Sequence, residues 1–368
     1  MDTVKIPFYT KAAFIFIAFY AFIYTLYIGQ HIIVPILYAT IIAILLNPFV
    51  NFLTNKKVSK VLAITIAVML AFAITVGFIY FISSQFSMFA DAYPQLKIKV
   101  DKTGAQTILW ISKHFNISVE KINLQIQHIK DKALNDSGLL VGQTLLNLSS
   151  MLVILLLMPV YISMLLYYKP LMLEFLRRVF TSTHQAIVSD VLDRTKFIIQ
   201  GYLKGLLIEA VVVATLNSVA LLILGIDYAI VLGITGALIN VIPFIGGVIS
   251  IALPMIIAFV TKDSLSYPLL VLIIYLTIQF IDNHFLIPRI VASKVKINAL
   301  ISVIAVLVGG AIWGLPGMFL SIPLTAILKV IFDSIEMLKP WGYLLGNIVP
   351  TATKFSFIKP KKASLPVK

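Results

Sequence analysis

Charge-free stretches set the pattern of this chain. No Asp, Glu, Lys or Arg occurs at 12–55, 61–90, 137–168, 228–261, 264–281 or 297–328, runs of 44, 30, 32, 34, 18 and 32 residues. A helix rises about 1.5 Å per residue and a bilayer core is about 30 Å thick, so about 20 apolar residues make one crossing. The pattern predicts an all-α polytopic integral membrane protein with about eight membrane segments, plus amphipathic helices on the membrane surface.

The first run would measure about 66 Å as one helix. Gly29 and Pro35 interrupt it, which splits it into spans at 12–28 and 32–54. Further spans are predicted at 60–83 and at 143–168, the second with Pro159 as a tolerated kink. Between them lies a polar region, 84–142. There Ile108, Ile111 and Phe115, and again Ile122, Ile126, Ile129 and Ala133, recur at helical spacing, as in helices lying on the membrane or on a neighbouring subunit. In the connector 169–203, Ile187, Val191, Ile198 and Tyr202 share a face, so an interfacial helix feeds a fifth span at 204–224.

Run 228–261 is too long for one comfortable crossing and holds Asn-Val-Ile-Pro-Phe-Ile-Gly-Gly at 240–247. Proline removes a backbone donor and glycine permits a sharp turn, so two half-length helices around a break are expected. A seventh segment follows at 266–286. The last run repeats the device with Gly-Gly-Ala-Ile-Trp-Gly-Leu-Pro-Gly at 309–317. Two interrupted apolar segments point to a transporter's binding region. The expected organisation is therefore a three-span scaffold (1–83), an extracytoplasmic region (84–142), a fourth span with a cytoplasmic connector (143–203), a transport core (204–333) and a basic cytoplasmic tail (334–368).

Composition supports the same class. Hydrophobic residues make up 60% and charged residues 12%, against about 25% charged in ordinary soluble domains. A soluble enzyme is excluded. The absence of Cys excludes thiolate metal sites, disulfides and cysteine nucleophiles. Lys5 and Lys11 before an apolar run imitate a secretory signal, but that run is long and lacks an Ala-x-Ala pattern, so a retained first span is expected.

The net charge of +14 is read as an orientation signal and not as a nucleic-acid footprint. With the N-terminus inside and both broken segments returning to their own side, 21 Lys and Arg fall inside and 8 outside. A single kinked crossing at 297–328 would instead export Lys354, Lys359, Lys361, Lys362 and Lys368. Both termini are expected in the cytoplasm.

The stretch at 240–247, Gln-Phe-Ile-Asp-Asn at 279–283, Leu-Ile-Pro-Arg-Ile-Val at 286–291 and the segment 308–323 resemble, in order and spacing, the autoinducer-2 exporter family. The resemblance covers roughly 10–340. It implies a bacterial inner-membrane permease that forms homo-oligomers, with some members linked to autoinducer-2 export and others to sodium/proton antiport. Glu209 departs from the pattern, standing in the fifth span where an uncharged residue is expected.

The candidate chemistry sits at the breaks. A half-helix starting inside the membrane aims free amides and a positive dipole end at its gap. Gly246 and Gly247, and Gly310, Gly314, Pro316 and Gly317, are therefore expected along a solute path with Asn240 and Pro243. The alternative is a buried turn whose hydrogen bonds are met internally. Gln279, Asp282 and Asn283 form an i, i+3, i+4 cluster that either lines the path, with Arg289 pairing Asp282, or terminates the helix before Pro288. Glu209 is the ion-coupling candidate, for Na+ or H+, against a snorkelling role beside Lys204.

Gly201 with Gly205, and Gly310 with Gly314, have the spacing of close helix packing. No phosphate loop and no His-Glu-x-x-His occurs, so no catalytic residue, metal site or cofactor is expected. The partners expected are membrane lipid, a small polar solute and a coupling cation. A non-transporting membrane scaffold is the competing reading of another class.

Overall fold

The computed structural model describes residues 7–115, 118–120, 124, 155–181, 184–242 and 246–347. Among them the elements are helical: α1 (Phe8–Ile28), α2 (Gln30–Asn55), α3 (Lys60–Phe115), α4 (Leu155–Val179), α5 (Gln185–Ile223), α6 (Ala229–Asn240) and α7 (Gly246–Thr261). They continue with α8 (Ser266–Ile281), a π-helix (Asp282–Ala292), α9 (Ser293–Val295), α10 (Ala299–Ser334) and α11 (Lys339–Leu345). Seven of the described helices are long and apolar enough to cross a bilayer, and α6 and α7 are shorter apolar helices. The protein is an all-α polytopic membrane protein.

α1 buries none of its residues and exposes Phe14, Phe16, Phe19 and Phe22, as a helix does when lipid is its solvent. Packing begins at α2. Its Ala39, Ala43 and Val50 recur on one face and meet Ala63, Ile64, Ala67 and Val68 of α3 and Ile162 and Leu166 of α4. Small side chains at the crossing let these backbones approach.

α3 does not stop at the predicted boundary near 83. It continues as helix to Phe115, 56 residues in all, so Ile108, Ile111 and Phe115 extend the third span and do not form a separate surface helix. At about 1.5 Å per residue it greatly outruns a bilayer core. Lys99 on this extension donates to Val260 O at 3.1 Å and also to Lys262 O, capping the end of α7. The second predicted helix, at Ile122, Ile126, Ile129 and Ala133, lies outside the described residues.

α4 is helical from Leu155 through Lys169 and Pro170 to Val179, beyond the predicted end at 168; residues 143–154 lie outside the description. Lys169 does not end the helix because its ammonium turns to Asn47 Oδ1, 3.0 Å away. The connector helix and the fifth span are one helix, α5, of 39 residues.

Both broken segments double back. Gly225, before α6, is adjacent to Lys262, after α7: a Cβ on Gly225 would lie 3.9 Å from Lys262 Nζ. α10 reverses at Gly314, whose φ of 63° and ψ of −146° lie outside what a side chain tolerates. Past α10 the chain returns to its start, where Asn298 Nδ2 donates to Leu344 O at 2.7 Å and Gly346 O at 3.0 Å at the end of α11. The hairpins also oppose each other. The first starts beyond the C-terminal end of α5, whereas the second starts beside α9, which packs on the N-terminal half of α5 through Ile199, Tyr202 and Val295.

Candidate functional site

α5 carries a stripe at four-residue intervals, Gly205, Glu209, Val213, Asn217 and Leu221, all buried. Two elements press on it. Gly205 faces Ile290, where a Cβ would come within 2.8 Å of the Ile290 carbonyl oxygen, so the π-helix crosses α5 in contact. Gly233 and Gly236 of α6 face Ser218 and Asn217, where small residues again permit backbone approach.

The crossing brings α6, α7, α8 and the π-helix together at the first break. Asn240, the last residue of α6, donates from Nδ2 to Asp282 Oδ2 at 2.9 Å. Asp282 is fully buried, and its Oδ1 has no hydrogen-bond partner among the described residues. Glu209 is 5% exposed and lies on α5 between Gly205, which faces Ile290 of the π-helix, and Val213, which packs with Ala237 of α6 and Ile278 of α8. Two carboxyl groups are thus buried in the region where α5, α8 and the π-helix pack together. Paired acidic side chains inside a membrane protein usually handle protons or cations, because burial without a partner is costly.

α7 completes the arrangement. Gly246 is held against Ile239 and Asn240, where a Cβ would stand 2.7 Å from the Asn240 Cα, so only glycine fits. Gly247 abuts Gln279, where a Cβ would be 2.5 Å from Oε1. Gln279 Nε2 donates to Asn283 Oδ1 at 3.4 Å. The N-terminal, positive end of α7 therefore stands beside Asn240 and Gln279, as the half-helix argument requires. Pro243 lies outside the described residues.

Two pairings expected from the sequence are corrected. Arg289 is exposed and lies over the Phe285 ring at 6.0 Å, while Asp282 takes Asn240 as its partner. Lys204 is exposed and makes no ion pair with Glu209, which is itself buried.

The second break does not join this cluster. Its tip docks on α1 and α2: Trp313 Nε1 donates to Leu26 O at 2.9 Å, and Tyr38 OH donates to Pro316 O at 3.1 Å. Gly310 packs on Met318 and Gly317 on Gly309, closing the hairpin on itself. Tyr202, 3% exposed on α5, belongs to the apolar cluster that also holds Tyr38 and Trp313.

The charge pattern missed a set of uncharged polar groups. Asn217 Oδ1, Thr235 Oγ1 and Tyr275 OH are buried on α5, α6 and α8 without partners among the described residues. Their signal was available in α5, where Asn217 repeats the spacing of Glu209 two helical turns on. No group of three or more His, Asp or Glu that could hold a metal ion occurs among the described residues.

The family model described as AI-2E family transporter matches residues 14–337. YueF of Bacillus subtilis, by name a candidate transport protein, is 24% identical over 350 residues, covering 89% of this chain and 89% of its own. The AI-2 transport protein TqsA of Escherichia coli K12 is 27% identical over 307 residues, covering 83% and 86%. A candidate transport protein of Haemophilus influenzae is 25% identical over 327 residues, covering 87% and 92%.

Proposed function

This chain belongs to the AI-2E transporter family, and from that premise we propose that it is a secondary transporter moving a small polar solute across the bacterial inner membrane, with flux coupled to a cation gradient through Glu209 and Asp282. The observation that carries the reading is the fully buried Asp282, half satisfied by Asn240 at a break between half-helices, with a second buried carboxyl, Glu209, on the α5 face that packs against α8 and the π-helix. Nothing in a merely structural turn calls for two adjacent acidic groups in the membrane interior, where each costs about 2.5–3.5 kcal/mol to insert ionised.

The solute path runs along Asn240, Pro243, Gly246, Gly247, Gln279, Asp282 and Asn283, with the amide end of α7 offering donors to hydroxyl or anionic groups. In this reading the second hairpin, with Gly310, Gly314, Pro316 and Gly317, is the gate on the opposite side, linked to the first by Tyr202 and Tyr38. Opposed hairpins suit alternating access, in which one half of the core rocks against a scaffold made by α1 to α4. The basic side of the chain, with both termini, faces the cytoplasm, and copies assemble as homo-oligomers. No cofactor or catalytic group takes part.

The carboxyl pair also favours a second reading, a monovalent cation/proton antiporter in which the cations are the only cargo. Purified protein in liposomes separates the two. Autoinducer-2 or a related polyol moving with an imposed Na+ or proton gradient supports the first reading. Cation exchange without solute flux supports the second. No flux of any of these leaves a membrane scaffold.

A further inference from the structure

A cavity of about 300 Å³ lies between α2, α4 and the first turns of α5, away from the carboxyl pair. Its walls are apolar, with Ala43, Ile44, Leu165, Leu166, Leu173 and Leu192 among them. Its mouth is basic. Lys169 and Lys196 line it, and Asp193 is the one carboxylate among the lining residues. Lys60 is itself held nearby, donating to Tyr167 O at 2.9 Å.

Lys169 is half-buried and spends one of its three N–H donors on Asn47 Oδ1. Two ammonium groups against one carboxylate leave the lining of the apolar slot with a net positive charge of one, and Lys60 adds a third ammonium close by. That combination selects a ligand with an anionic, oxygen-rich head and a hydrocarbon tail. The volume sits at the lower end of the range for ligand pockets, about 300–1,000 Å³, which suits one chain and a head that stays at the rim.

We propose that this cavity is a binding site for one anionic phospholipid, its phosphate held by Lys169 and Lys196 and one acyl chain inserted between α2, α4 and α5. The basic rim lies on the side where α2 ends and α3 begins, the side on which long cationic side chains reach the headgroup layer. A lipid there joins the α2–α4 scaffold to the first turns of α5, the helix that carries Glu209.

The chain has no cysteine, so Met172→Cys at the slot wall introduces the only thiol of these 368 residues. The protein is placed in nanodiscs of phosphatidylglycerol or phosphatidylcholine and labelled with a maleimide. A phosphate held by charge-assisted hydrogen bonds slows labelling about tenfold in phosphatidylglycerol relative to phosphatidylcholine. Lys169→Gln with Lys196→Gln removes the difference, and Leu173→Trp, which keeps the charges but fills the slot, removes it too. Equal rates in the two lipids overturn the proposal. So does protection by inorganic phosphate alone in phosphatidylcholine, which makes the site a free-anion site, or protection accompanied by disulfide cross-linking of copies through the introduced thiol, which makes it a subunit interface.

Discussion

Replacing Gly246 or Gly247 with Ala tests the geometry of the first break, because adjacent glycines face different obstacles. A Cβ at Gly246 would lie 2.7 Å from the Asn240 Cα and also collide with the Ile239 carbonyl, all of it backbone. Ordinary contact begins at 3.4 Å, so α6 and α7 must separate by about 0.7 Å to clear the Asn240 Cα and by more to clear the Ile239 carbonyl oxygen, which is closer. Overpacking of this kind costs about 1–3 kcal/mol. We expect about 2 kcal/mol for Gly246→Ala, roughly 30-fold in the unfolding constant. A Cβ at Gly247 would meet the end of the Gln279 side chain, 2.5 Å from Oε1 and 2.8 Å from Cδ, which can swing aside. Gly247→Ala should therefore stay within about 0.5 kcal/mol of the parent while displacing Gln279 and lowering solute flux. Unfolding in mixed micelles and flux in liposomes of the same preparations read the two effects separately. Equal stability of Gly246→Ala and the parent would refute the close approach of the half-helices. Full flux in Gly247→Ala, or in the bulkier Gly247→Leu if it folds and assembles, would remove this break from the path.

Further expectations follow from single contacts. Asn240→Leu strips Asp282 of its donor and should destabilise by about 1–3 kcal/mol; adding Asp282→Leu should recover at least half of that, measured by the same unfolding assay. Trp313→Phe frees the Leu26 carbonyl on α1 and Tyr38→Phe the Pro316 carbonyl at the tip of the second hairpin; each should cost about 0.5–1.5 kcal/mol, with hydrogen exchange increased near Gly314, and an unchanged tip would argue that it is held by packing alone. Lys99→Gln releases the α3 extension from Val260 and Lys262, so protease sensitivity of the 262–265 turn should rise while the span helices keep their protection.

The spans were legible because lipid imposes a simple rule: an uncharged run of sufficient length must cross. The hairpins were legible for a related reason, since Gly314 and the 240–247 stretch carry Pro and Gly where a continuous helix would need neither. The same rule failed where charge was taken as a boundary. Lys169 carries α4 onward because its long side chain reaches Asn47, and α3 runs to Phe115 because polar residues end an apolar run without ending a helix. Asp282 was identified as a site residue, yet its partner was not, because Arg289 is close in sequence and Asn240 is close only after the π-helix has crossed α5. Asn217, Thr235 and Tyr275 went unnoticed because uncharged polar groups barely disturb an apolar run, although their burial without partners makes them conspicuous in three dimensions.

The central claim is that Glu209 and Asp282 link cation movement to solute movement, and the direct measurement is gradient-driven flux in proteoliposomes for the parent, Glu209→Gln and Asp282→Asn. The account predicts that an imposed Na+ or proton gradient accelerates solute flux in the parent and that both variants, folded and inserted normally, lose that acceleration. Unaltered gradient dependence in Glu209→Gln and Asp282→Asn would contradict it.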